Sequence, residues 1–204
     1  MDLTKKVAEL IDFAHSRSNW MRGGVALVGG TAVANSTGLG RAFAQALTDL
    51  DILNFALTLE HLEARMYKDM LAANMLTGKE KTYFENFGKT EAVHVTALTQ
   101  TIQKLNGTPA AAKEKYNFPA FSDRVAILNF AKVAEDIGVG AYQGAAAAIK
   151  NKDILAAAGS IVQIEARHAA IVNLLLGQKP VPAATTASLT VQQVLDKVNP
   201  ILGS

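Results

Sequence analysis

Ile164-Glu165-Ala166-Arg167-His168-Ala169-Ala170 places a carboxylate and an imidazole three residues apart, in a segment with a helical pattern on both sides. On a helix, positions i and i+3 share a face, so Glu165 and His168 can reach one point. One Glu-x-x-His pair is weak, because it arises by chance on any charged helix. The pattern recurs at Glu91-Ala92-Val93-His94. Upstream of each copy, a helical stretch carries one glutamate on its apolar stripe, Glu60 and Glu135. Two lone glutamates and two Glu-x-x-His pairs are the side chains with which a four-helix bundle holds two metal ions in its core.

The segments around these residues have the periodicity this requires. Thr48 is the expected N-cap of a first helix, with Asp49 and Asp51 in its opening turn. Leu53, Ala56, Leu57, Glu60, Ala64 and Tyr67 form one stripe, and the helix is expected to end near Leu76, before Thr77-Gly78. A second helix is predicted over about 79–105, with Phe84, Phe87, Glu91, His94, Val95 and Leu98 inward. Residues 106–122 contain Pro109 and Pro119, which argue against continuous helix. At roughly 3.3 Å per residue, about 17 extended residues outrun a long helix, so this segment can cross the whole bundle. A third helix is predicted over about 123–149, with Leu128, Ala131, Glu135, Val139 and Tyr142 on one face. After a break at Asn151-Lys152-Asp153, a fourth runs to about Gly177. Pro180 and Pro182 open a tail over 178–204, whose short amphipathic helix, Thr190 to Val198, should stop at Pro200.

The two halves repeat. Ile52-Leu53-Asn54-Phe55-Ala56 returns as Ile127-Leu128-Asn129-Phe130-Ala131. In both, a glutamate follows the alanine by four residues, and a tyrosine follows that glutamate by seven, at Tyr67 and Tyr142. The offset is about 75 residues throughout, which points to an internal duplication and a pseudo-twofold site between the halves.

The chain of 204 residues fits one domain with a tail; its net charge of +2 gives no electrostatic case for a nucleic-acid partner. The absence of cysteine excludes disulfides, thiolate metal sites and a cysteine nucleophile. No apolar run is long enough for an ordinary transmembrane helix. Residues 1–46 read as an export signal or N-terminal leader, ahead of a bundle over 47–177. They carry a short amphipathic helix, the basic stretch Ser16-Arg17-Ser18-Asn19-Trp20-Met21-Arg22, an apolar run from Gly23 to Ala34 and the small-residue site Ala44-Gln45-Ala46. The basic stretch resembles a twin-arginine signal, but Ser18 stands where the second arginine belongs. The expected location is the periplasm or cell envelope, or the cytoplasm if residues 1–46 are retained.

Apolar neighbours such as Leu57, Leu59, Val95, Val139 and Val162 make unpaired carboxylates costly at these positions. Arg65 and Arg167 lie round their helices from the stripe, and Lys132 is the best organic counter-ion. Two divalent cations balance four carboxylates. The expected grouping is Glu60, Glu91 and His94 on one ion and Glu135, Glu165 and His168 on the other, with Glu91 and Glu165 as bridges. Carboxylate with imidazole suits iron, manganese or zinc better than calcium or magnesium. Tyr67 and Tyr142 are expected to hydrogen-bond ligand carboxylates. Glu63, at the edge of the stripe, is a further candidate ligand but reads first as a solvated glutamate; its counterpart is Gly138. His61 reads as surface, and Met66 and Met70 as core.

These features resemble the ferritin-like superfamily, and within it the bacterial ferritin-like domain family that includes the desiccation-related proteins. The resemblance rests on Glu60 with Tyr67, on the run Glu135 to Ala146, on Ile164 to Ala170, and on Leu189-Thr190-Val191-Gln192-Gln193-Val194-Leu195. It spans residues 48 to about 202. It implies a ferritin-type four-helix bundle with a non-haem di-iron or di-manganese centre, often in an exported protein. Oxygen or peroxide would be the small-molecule substrate, in ferrous-iron oxidation or peroxide scavenging during stress. Manganese catalase chemistry, or a non-catalytic metal-binding or structural envelope protein, is the alternative. A homo-oligomer stays open. The superfamily hosts several reactions on one scaffold, so the fold alone does not choose among them.

Overall fold

Thr48 opens the first helix with a reciprocal cap: its hydroxyl accepts from the Asp51 backbone, while the Asp51 carboxylate accepts from the Thr48 backbone. Such a cap is worth about 1 kcal/mol. The computed structural model describes residues 47–203. The expected leader, 1–46, lies outside the described residues. Among these, five helices and no strand are present: α1 Asp49–Ala72, α2 Gly78–Lys104, α3 Arg124–Ala146, α4 Lys152–Leu175 and α5 Val191–Leu202. Asp123 and Asn151 cap α3 and α4 by accepting backbone N–H groups of their first turns.

The hairpins α1–α2 and α3–α4 pack on each other through α1 against α3 and α2 against α4. Contacts between elements set the directions. Tyr67 reaches Glu135 while Tyr142 reaches Glu60, so α1 and α3 run antiparallel. With α2 antiparallel to α1, α2 and α3 run parallel, and the chain between them must traverse the bundle. It does so along α1. Asn54 Oδ1 accepts from Ala110 N (2.7 Å), His61 Nε2 lies 3.2 Å from Ala110 O, and Arg65 Nη1 donates to Glu114 O. His61 is therefore half-buried against the crossover and not a free surface residue.

The crossover and α5 give α1 a second buried face. Leu59 and Leu62 of α1 meet Tyr116, Ile137, Val194, Val198 and Leu202 in one apolar cluster. The strap before α5 seats on α3, where Leu189 N donates to Gly140 O (2.8 Å). A Cβ at Gly144 would overlap the Leu189 carbonyl, so only glycine allows this approach.

Boundaries differ from expectation where tertiary contacts intervene. The first helix ends at Ala72, not near Leu76: Asn74 takes a left-handed φ of 56°, which turns Leu76 back into the core. The third ends at Ala146, not Ile149, because Ala148 folds back onto Leu47 and Ile52. Pro200 does not stop α5. It removes one intrahelical bond near the end, but Leu202 remains buried beyond it and Ile201 O accepts from Asn117 N (2.7 Å).

Candidate metal centre

Each of the four main helices delivers carboxylates to the bundle axis. Glu60 comes from α1, Glu91 and His94 from α2, Glu135 from α3, and Glu165 and His168 from α4. The four glutamates are 0% exposed, and His94 and His168 are 7% and 4% exposed. Two groups of ligand atoms form, each with all its atoms within 4.8 Å of one another: Glu60, Glu91, His94 and Glu165; and Glu91, Glu135, Glu165 and His168. They share Glu91 and Glu165, the glutamates of the two Glu-x-x-His pairs.

The imidazoles point Nδ1 into the cluster. His94 Nδ1 lies 2.9 Å from Glu91 Oε2, 3.1 Å from Glu60 Oε2 and 3.2 Å from Glu165 Oε1. His168 Nδ1 lies 2.9 Å from Glu91 Oε1 and 3.5 Å from Glu135 Oε2. The tyrosines act across the pseudo-twofold: Tyr67 of α1 donates to Glu135 of α3, and Tyr142 of α3 donates to Glu60 of α1. Burial, then the facing carboxylates, push both phenols well above their ordinary range, so they stay protonated donors. Phe87, which the sequence places only in the core, packs its ring 4.1 Å from that of His168 and walls one side of the site.

The donor set fits metal. Glu91 Oε1, Glu135 Oε2, both oxygens of Glu165 and His168 Nδ1 are buried without a hydrogen bond. Buried polar atoms are normally satisfied, and orphans gathered at one point ask for an ion. Burial, opposed by the contact with His94, holds Glu60 up at about 8. Burial likewise drives Glu135 well above the carboxylate range, against the contact with His168. Burial would raise Glu91 too, but the close approach of the His168 and His94 imidazoles outweighs it and holds the group at about 2. Those carboxylates overcome the burial that would lower the histidines, raising His94 to about 12 and His168 to about 10. Without cations, protons on imidazole and carboxyl groups do the balancing.

The organic counter-ion expected from sequence is not used: Lys132 Nζ pairs with Asp136 Oδ2 (2.6 Å) near the surface. Arg65 pairs with Asp69. Glu63 is not solvated either. It is 3% exposed, a fifth buried carboxylate beside the four, but it belongs to neither ligand group. Gly138 makes room for it: a Cβ there would stand 3.1 Å from Glu63 Oε1 and 3.3 Å from Glu165 Oε2. The 75-residue offset already paired Glu63 with Gly138; a residue with a side chain facing a residue without one was the available signal.

Fold and site together define a four-helix bundle with a buried carboxylate–histidine cluster. A family model described as a ferritin-like domain matches residues 48–178, and the chain belongs to that family. Among solved structures, it is similar to a conserved hypothetical protein from Mycobacterium tuberculosis. The TM-score is 0.59 at 20% identity, over 67% of this chain and 96% of that one, a likeness of fold. No curated protein matches the chain. No helix among the described residues is long and apolar enough to cross a membrane.

Proposed function

We propose that the cluster holds two metal ions, iron or manganese, and that the protein is an oxidoreductase using dioxygen or peroxide, in ferrous-iron oxidation or peroxide scavenging. One observation carries this: the two overlapping ligand groups share Glu91 and Glu165 and contain the orphaned acceptors. Glu60 and His94 would complete one ion's ligands, Glu135 and His168 the other's, and Glu91 and Glu165 would bridge. Bound redox-active ions would supply the electrons that reduce the oxidant. The chain's own work is to hold the carboxylates in place through Tyr67 and Tyr142, and to keep water out with the apolar cluster around Phe84 and Phe87.

The test is elemental analysis of native protein, followed by dioxygen and peroxide consumption with added ferrous iron. About two ions per chain and consumption abolished by His94→Ala or His168→Ala are expected. Bound metal without consumption leaves a non-catalytic metal-binding protein. Peroxide disproportionation by manganese-loaded protein, without ferrous iron, assigns catalase chemistry instead. A cell-envelope location, with residues 1–46 removed as a signal, accompanies this reading. N-terminal sequencing of native material that finds Met1 or Asp2 overturns it.

A further inference from the structure

Beneath α5, between α1 and α3, lies a partly enclosed cavity of about 320 Å³. Leu62, Phe130, Ile137 and Val198 are among its apolar walls, and its charged side chains are Glu63 and Lys197. Lys197 is exposed and so marks the outer rim, whereas Glu63 is 3% exposed and marks the inner end. Among the described residues nothing donates a hydrogen bond to the Glu63 carboxyl. A carboxyl that lacks a protein donor and keeps a little surface at the inner end of a cavity of ligand size is open to a bound partner.

Volume and chemistry restrict the occupant. An apolar cavity of about 150 Å³ takes up benzene, so this one accommodates a ring of that size with a short arm. A pure hydrocarbon would leave Glu63 unsatisfied. An anion would be set beside five buried carboxyl groups. A hydroxyl both donates and accepts, and so satisfies Glu63 with or without its proton. We propose that this cavity binds a small neutral alcohol or phenol, with the apolar body between α1, α3 and α5 and the hydroxyl on Glu63. Glu63 is then a ligand-binding residue of the α1–α2 half, with no equivalent in the other half, where Gly138 supplies the space. The site is separate from the ligand groups proposed to hold metal.

Titration calorimetry of the full chain with benzyl alcohol, toluene and benzoate tests this, on protein with its native metal and after chelation. Benzyl alcohol is expected to bind about tenfold more tightly than toluene, the worth of one hydrogen bond to a buried partner, with benzoate weakest. Glu63→Ala should erase the preference for the alcohol while leaving metal content unchanged. Ala134→Phe, which fills the cavity, should abolish binding of both. Should that variant misfold, Val133→Trp at the rim, a position half-exposed in the native protein, serves instead. Equal affinity for toluene and benzyl alcohol, no binding, or binding indifferent to Glu63→Ala overturns the proposal. So does loss of the preference on metal loading, or loss of metal in Glu63→Ala, because either result makes Glu63 a metal ligand. A protein that never binds metal leaves the alcohol titration intact, so the two readings fail separately.

Discussion

The α1–α2 and α3–α4 halves carry the same ligand side chains at matching positions and differ by one buried carboxylate. Glu60, Glu91, His94 and Tyr67 answer to Glu135, Glu165, His168 and Tyr142, and each tyrosine bonds the glutamate of the other half. Glu63 answers to Gly138, and only the first supplies a side chain. Residues that must converge on a shared point kept their types in both copies. Glu63 lines the cavity beneath α5, so the side of the centre on which it projects differs from the other.

The largest expected effect tests whether the halves share their ions. Glu91→Ala or Glu165→Ala should reduce metal content from about two ions per chain to nearly none, because each would serve both ions. His94→Ala and His168→Ala should each cost about one. Elemental analysis of the four variants decides it: if the glutamate variants retain one ion apiece, the bridge is wrong and the halves bind independently.

Chelation should come next, and its effect should grow with pH. His94 at about 12 and His168 at about 10 stand above the ordinary 6.5, and Glu60 at about 8 above 4.5. The folded, metal-free protein therefore holds protons that the unfolded chain has released. That contribution is complete below about pH 4.5 for Glu60 and 6.5 for the histidines, and is lost as pH rises through the folded values. Glu91, at about 2, acts in the opposite sense: its contribution is present above 4.5 and lost only as pH falls through about 2. Metal needs the same groups deprotonated, so its affinity rises with pH. The gap between loaded and metal-free melting temperatures should widen from pH 6 to pH 9. With ligand at about 1,000 times Kd the linkage is about 4 kcal/mol, roughly 10 °C for a chain of this size. A gap that narrows with pH would contradict proton–metal competition.

Smaller effects test the symmetry of the tyrosines. Tyr67→Phe and Tyr142→Phe each remove a hydroxyl from a buried carboxyl oxygen, at about 1–3 kcal/mol. The pseudo-twofold predicts equal costs, read by urea denaturation of metal-free protein. A difference above about 1 kcal/mol would show that one half carries more of the load.

The smallest effect falls where the halves differ. Gly138→Ala gains about 1 kcal/mol of helix propensity but presses on Glu63 and Glu165. A small net destabilisation is expected. In a Glu63→Ala background the same substitution should become stabilising, since the nearer obstacle is gone. Additive behaviour of the pair would mean that Gly138 does not exist to accommodate Glu63.

Helix spacing and repetition alone selected the four helices, the crossover and six side chains that the structure brings within reach of one another. An i, i+3 pair shares a face whatever the tertiary context, and a duplicated pattern is visible without coordinates. What surrounds a residue has no such local signature. Glu63 reads as solvated because it lies off the α1 stripe, yet α3 covers it where Gly138 leaves a gap. Lys132 flanks Glu135 along the helix, yet its ammonium reaches Asp136 near solvent and does not serve the centre. His61 reads as surface until the crossover lies against it, and Pro200 reads as a stop until Leu202 is buried beyond it. Helical periodicity records the face a helix turns toward its own axis of packing. The second face, its cover and the cavity left beneath it arise from chain segments far apart in sequence, and only their packing decides them.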